Sequence, residues 1–233
     1  MDFLKVLFTI ILYLNVLIAI ASFIFAFILL RRTKGNAIYF NFGMATLFLG
    51  LWITSIPLIF LKFTEPVNIF LTNTTFLFGI WILQYFLIFT IYFPTPHLKR
   101  KNIWVPLLYL LTLLISFSIF IPNLYTVRAV SDFPYLYVKF NAAGLTIYTL
   151  YFIALAAASF KNLIYKYRQS DGIFKIQLKK IILGTGIAVA ANLVLSITIY
   201  YFTEFDFSPI GALFTFAVLA YIYSILFGKR ESI

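Results

Sequence analysis

Along this chain, long runs of Leu, Ile, Val, Phe and Ala alternate with short segments that carry most of the charge. An α-helix rises about 1.5 Å per residue, so about 20 apolar residues cross a bilayer core of roughly 30 Å. Seven runs meet that length, at residues 6–30, 37–61, 67–93, 103–121, 141–160, 181–202 and 207–228. The connections read RRTKGN, KFTEP, PTPHLKRKN, PNLYTVRAVSDFPYLYVKF, KNLIYKYRQSDGIFKIQLKK and TEFD, and none is long enough to hold a separate soluble domain. The pattern predicts an all-α fold: a single membrane domain, 1–233, built as a polytopic seven-transmembrane-helix bundle.

Composition supports this. Of 233 residues, 63% are hydrophobic and 11% charged, whereas soluble domains are near half apolar and about a quarter charged. The net charge of +11 does not mark a nucleic-acid partner, because the cations sit at the ends of the apolar runs, where they meet lipid head groups. Fourteen of the 18 Lys and Arg fall on one side: Arg31, Arg32, Lys34, Lys99, Arg100, Lys101, Lys161, Lys166, Arg168, Lys175, Lys179, Lys180, Lys229 and Arg230. The other side has Lys5, Lys62, Arg128 and Lys139, with five of the seven acids. Cationic loops stay in the cytoplasm. The expectation is a multi-pass protein of the cell membrane, N-terminus outside and C-terminus cytoplasmic. Ala19-Ile20-Ala21 resembles a signal-cleavage site, but the apolar run continues to Leu30 and closes only at Arg31-Arg32, which predicts a retained first helix.

Chemistry is sparse in the predicted spans. They hold no Asp, Glu, His, Lys or Arg at bilayer depth, the residues that mark proton relays and intramembrane catalysis. No lysine in the seventh run is placed to form a Schiff base, which excludes a rhodopsin. The single His97 cannot assemble the three or four ligands of a metal site, and the chain has no Cys. No nucleotide-binding glycine loop is present. The chain is read as having no catalytic residues, no metal and no cofactor.

Neutral polar residues within the runs are Asn15, Asn41, Asn73, Thr74, Gln84, Asn141 and Asn192, and in hydrocarbon each seeks a partner on a neighbouring helix. Thr74, Leu77, Trp81, Gln84 and Ile88 share a face of the third run, which either lines a ligand cavity or bonds the bundle together. Trp52, Trp81, Gln84 and Asn192 form the candidate ligand-binding set, since pockets combine apolar walls with a few placed polar groups. Gly43, Thr46 and Gly50, and likewise Gly184, Ala188 and Ala191, form small-residue stripes for close helix packing. Pro57 is placed to kink the second run, whereas Pro209 suits the first turn of the seventh. The connection 122–140 mixes aromatic and polar residues, and reads either as a short hairpin or lid, with Tyr125, Arg128 and Tyr135 as candidate lid residues, or as an ordered connector.

With this topology the sequence resembles the seven-transmembrane N-terminal sensor region of bacterial and archaeal histidine kinases, which also precedes some diguanylate cyclases. The resemblance spans nearly the whole chain. It rests on KGNAIYFNFGMATLFLGLWITSIPLIFL, on FLIFTIYFP before a basic turn, and on the pair FKIQLKKIILGTGIAVAANLVLSITIYYF and FDFSPIGALFTFAVLAYIYSILFGKR. Asp206, Ser208 and Pro209 match by position the family's acid and Thr/Ser-Pro approach to the seventh helix. Members continue into a coiled linker and an output domain, whereas this sequence stops at Ile233 with no phosphoacceptor helix, ATP-binding domain or cyclase motif. The resemblance implies a sensor module without its own output domain, either a stand-alone sensor-like protein or one whose output module has been lost, split or removed.

Three functions fit the residues. The leading one is a sensor or receptor that binds a small apolar or amphipathic ligand and relays it to a cytoplasmic signalling protein through the sixth and seventh helices. The others are a small membrane transporter and a ligand-free scaffold subunit. Membrane lipids are the expected surroundings, a homodimer the candidate assembly, and nucleic acid is excluded.

Overall fold

A computed structural model describes residues 3–61, 63–94, 104–195 and 208–227. Among these, seven α-helices occur: α1 Phe3–Arg31, α2 Ala37–Ile59, α3 Glu65–Tyr92, α4 Trp104–Ile119, α5 Ala142–Gln169, α6 Gly172–Leu193 and α7 Ser208–Phe227. Two antiparallel strands, β1 Thr126–Asp132 and β2 Tyr135–Phe140, lie between α4 and α5. Among the described residues the fold is thus helical with one hairpin, which lies within the connection 122–140.

Five helices, α1, α2, α3, α5 and α7, are long and apolar enough to cross a membrane. The protein is a helical membrane protein. Helix α4 is equally apolar but has only 16 residues, about 24 Å of rise. Residues 95–103, with His97, and 196–207, with the end of the predicted sixth span, lie outside the described residues.

The fifth and sixth boundaries differ from the sequence reading. Helix α5 does not end at 160 but runs on to Gln169, and α6 begins at Gly172 rather than at 181. The basic connection is therefore mostly helix. Hydropathy marks where apolar side chains stop, but Lys, Arg and Gln are good helix formers and nothing in 161–169 breaks the ladder. The reversal falls at Ser170-Asp171, where Gly172 takes a left-handed φ of 58° that costs glycine little.

Packing makes a ring in the order α1, α2, α3, α5, α6, α7 and back to α1, with α4 set outside against α3. Gly43 and Gly50 of α2 face α1 so closely that an added Cβ would meet Leu30 and Phe23 at 3.0 Å. One apolar cluster, including Leu49, Ile53, Phe89, Leu163 and Ile181, fills the ring. A second, with Ile80, Leu87, Ile119, Tyr125 and Leu155, lies between α3, α4 and α5. Asn15 donates from α1 to the Pro209 carbonyl at 3.0 Å, joining α1 to the first turn of α7.

Candidate functional site

The site is built where the hairpin meets α3. Helix α3 opens with Glu65 and Pro66, an acid and a proline suited to a first helical turn. Pro66, Ile69, Phe70 and Asn73 then recur at helical spacing and form one wall of a cleft of about 270 Å³. Its other wall is Phe120, Pro122, Asn123 and Thr126, from the turn after α4 and the first residue of β1.

That second wall is firmly held. Asn141 caps α5 by accepting from the Ala143 N–H at 2.9 Å, and its amide nitrogen donates to the Asn123 carbonyl at 3.0 Å. Asn141 is thus a helix cap at the hairpin's base, not an inward polar residue within a span. Tyr125 is buried with its hydroxyl 2.9 Å from Ser118 Oγ. Gly144 lies so close to the turn that a Cβ there would sit 1.8 Å from the Leu124 carbonyl oxygen.

A bulge aims the strand. Thr126 pairs with Phe140 and Arg128 with Lys139, leaving Val127 as the extra residue. Strict alternation would point Thr126 and Arg128 to the same face. With the bulge, Thr126 and Ala129 both turn inward, at 1% and 0% exposure, while Arg128 turns out and pairs with Glu65 at 3.3 Å.

Two residues that line the cleft, Asn73 and Thr126, each carry a buried oxygen without a partner, Asn73 Oδ1 and Thr126 Oγ1, neither of them accessible from the cleft. Buried polar groups are nearly always hydrogen-bonded, so each is an exception. Other unpartnered oxygens belong to Asn15, Thr33, Asn41, Asn68, Thr72, Ser131, Thr185 and Asn192, of which Asn15, Asn41 and Asn192 already donate through their amides to a carbonyl on their own helix. Among the described residues no charged side chain lines the cleft.

The sequence-nominated residues are placed differently. Trp81 Nε1 donates to Ser116 Oγ at 3.1 Å, and its ring stacks on Phe48 at 5.6 Å. Gln84 is fully buried and accepts from Thr112 Oγ1 at 3.0 Å, and Thr112 lies 2.6 Å from the Tyr151 hydroxyl. Thr112 has one proton, shared between Gln84 and its own Leu108 carbonyl, so Tyr151 must donate to Thr112. Asn192 donates to Thr215 Oγ1 across α6 and α7 at 2.6 Å. Trp52 packs on the main cluster. Only Trp81 and Gln84 share an interface, and none of the four lines the cleft.

Of the lid residues, Tyr125 is a buried anchor, Arg128 an exposed ion-pair partner, and Tyr135 an exposed ring stacked on Tyr137 at 6.4 Å. Sequence reasoning missed Thr126 and singled out Asn73 only as an inward amide. Phe133, one of the aromatic residues of that connection but not a candidate lid residue, has its ring 5.8 Å from Phe8 and 6.3 Å from Phe60 and so pins the hairpin tip to α1 and α2. Among the described residues no group of three or more His, Cys, Asp or Glu can hold a metal ion.

Compared with known proteins, the sequence matches no protein-family model and no curated protein.

Proposed function

We propose that the chain is a seven-span sensor or receptor module of the cell membrane, with the N-terminus outside and the C-terminus in the cytoplasm. It takes a small apolar or amphipathic ligand at its hairpin end and relays occupancy to a cytoplasmic signalling protein, the role implied by the resemblance to histidine-kinase sensor regions. The observation that carries this reading is the cleft of about 270 Å³ between the first turns of α3 and the start of β1, walled by apolar side chains with Asn73, Asn123 and Thr126 among them.

A relay has a physical route. The first turns of α3 wall the cleft, and the last turn of α3 is gripped by Lys166 of α5, whose chain turns directly into α6. A ligand that binds one arrangement of α3 better than another shifts the population of both.

Two measurements test this. A reporter active only in the cytoplasm gives signal after Lys229 and none after Arg128; the reverse would overturn the orientation. The chain has no Cys, so spin labels at Lys180→Cys and Ser224→Cys report the spacing of α6 and α7 in nanodiscs. Cleft occupancy should shift that distance distribution, and an unchanged distribution at saturation would overturn the sensor reading.

A further inference from the structure

We infer that the corner where α5 turns into α6 is a binding surface for anionic phospholipid, with Lys161, Arg168, Lys179 and Lys180 on the head-group phosphates and Ile173, Phe174 and Ile176 among the upper acyl chains. This surface is separate from the cleft and does not depend on the sensor reading.

Charge is the first step. Residues 161–180 hold six cations and a single acid, Asp171. Two of the six are already engaged: Lys166 donates to main-chain carbonyls at the end of α3, and Lys175 lies 3.9 Å from Asp171 and 5.7 Å from the centre of the Tyr167 ring. The other four, Lys161, Arg168, Lys179 and Lys180, are exposed, and among the described residues no acid pairs with them. Such a cluster suits phosphate, which lysine meets as a point charge and arginine as a two-pronged donor.

Apolar side chains share the same faces. On α5, Lys161, Ile164, Tyr165 and Arg168 recur at spacings of three and four, and on α6 so do Ile173, Ile176, Lys179, Lys180 and Leu183. Ile173 and Ile176 are 54% and 57% exposed, with Phe174 and Tyr165 exposed nearby. Length decides what covers them. Helix α5 has 28 residues, a rise of about 42 Å, and a bilayer with its head groups is about 40–45 Å thick. A spanning α5 therefore ends within the head-group layer rather than in the solution beyond it, and the exposed apolar residues beside its end meet lipid. The turn between α1 and α2 lacks this combination, since Arg31 stacks on the Phe27 ring at 4.7 Å and Thr33, Lys34, Gly35 and Asn36 bring no large apolar side chain.

The test is photolabelling of the full chain in nanodiscs of equal phosphatidylglycerol and phosphatidylcholine, with one lipid or the other carrying a diazirine near the glycerol end of an acyl chain. Adducts are mapped by mass spectrometry. Phosphatidylglycerol should label Ile173, Phe174 and Ile176 at least about fivefold more than phosphatidylcholine, the preference that one cation confers at an anionic surface, while the two lipids label the exposed Leu17 and Ile20 of α1 alike. Replacing Lys161, Arg168, Lys179 and Lys180 together by Gln should level the two lipids, and about 1 M salt should do the same to the parent. If the fourfold variant does not accumulate, the salt series decides. Arg31→Gln with Arg32→Gln and Lys34→Gln should keep the preference, and glycerophosphoglycerol, the head group without chains, should not compete. The inference is overturned if the two lipids label the corner alike, if the α1–α2 variant levels them as well, or if the chainless head group competes. Absence of adducts at the corner from either lipid would overturn it too, leaving that surface to a soluble partner.

Discussion

Lys166 of α5 donates a hydrogen bond to the main-chain carbonyl of Thr90 on α3 at 2.8 Å. It also donates to the carbonyls of Ile91 and Phe93, so all three ammonium protons serve the end of α3. The last carbonyls of a helix have no partners within it and carry the negative end of its dipole, which makes a cation there doubly suited. Hydrogen bonds to charged groups are worth about 1.5–3 kcal/mol, and the half-buried site limits screening. Lys166→Met is expected to destabilise the protein by about 2–3 kcal/mol, seen as a fall of about 4–10 °C in thermal unfolding. A fall no larger than that of Lys161→Met, an exposed neighbour, would refute the grip.

Glycine substitutions separate two kinds of close approach. Gly144→Ala drives a Cβ to 1.8 Å from the Leu124 carbonyl oxygen, and backbone cannot move aside without displacing the turn that walls the cleft. It should cost at least about 3 kcal/mol or prevent accumulation of folded protein. Gly43→Ala meets only Leu30 Cδ2 at 3.0 Å, a flexible side chain, and should cost about 1 kcal/mol. Comparable yields and melting temperatures for the two variants would contradict the contact geometry.

The Thr112 hydroxyl is the hub of three helices, since Gln84 and Tyr151 both depend on it. Thr112→Val leaves two buried groups unpaired, whereas Tyr151→Phe removes a donor and leaves the other bond intact. The first should cost about 1–2 kcal/mol and the second about 0.6 kcal/mol, by unfolding in detergent. Gln84→Leu should lower stability equally with and without an amphiphilic ligand. Loss of ligand-induced stabilisation in Gln84→Leu would return the ligand site to the sequence-nominated set.

The hairpin is fastened by aromatic packing more than by charge. Arg128 and Glu65 are exposed, and exposed pairs contribute about 0–1 kcal/mol. Arg128→Ala should therefore change stability by less than about 0.5 kcal/mol, whereas Phe133→Ala, which withdraws a ring from between Phe8 and Phe60, should cost about 2 kcal/mol or more. Proteolysis at the hairpin tip is the direct readout. Cleavage should accelerate in Phe133→Ala and not in Arg128→Ala, and the opposite order would overturn this ranking.

The helices were legible because apolar length is a local property. Residues 6–30 and 37–61 foretell α1 and α2 within a few positions. What hydropathy could not show was helix persisting beyond the apolar stretch, as α5 does after 160. The cleft was illegible for a different reason. Asn73 was visible as an amide in an apolar run, but its neighbour Thr126 reaches the same cavity only because Val127 is an extra residue in β1, and a bulge is a property of pairing. Lys166 likewise registered as one cation among many on its side; that three carbonyls of α3 converge on it depends on where two helices cross.

The helical hairpin formed by the end of α5 and the start of α6 has a mechanical consequence. Beyond the apolar stretch, α5 continues from 160 to Gln169 before the chain turns back into α6 at Gly172. That is a stiff arm of about 13 Å, with no slack loop at its root. Its fulcrum is the Lys166 grip on α3, about 6 Å of helix from the tip, so a tilt of α5 of about 10° carries Ser170 sideways by about 1 Å. The arm carries Arg168 and runs on into Lys175, Lys179 and Lys180 of α6, so its motion is delivered to a segment dense in positive charge.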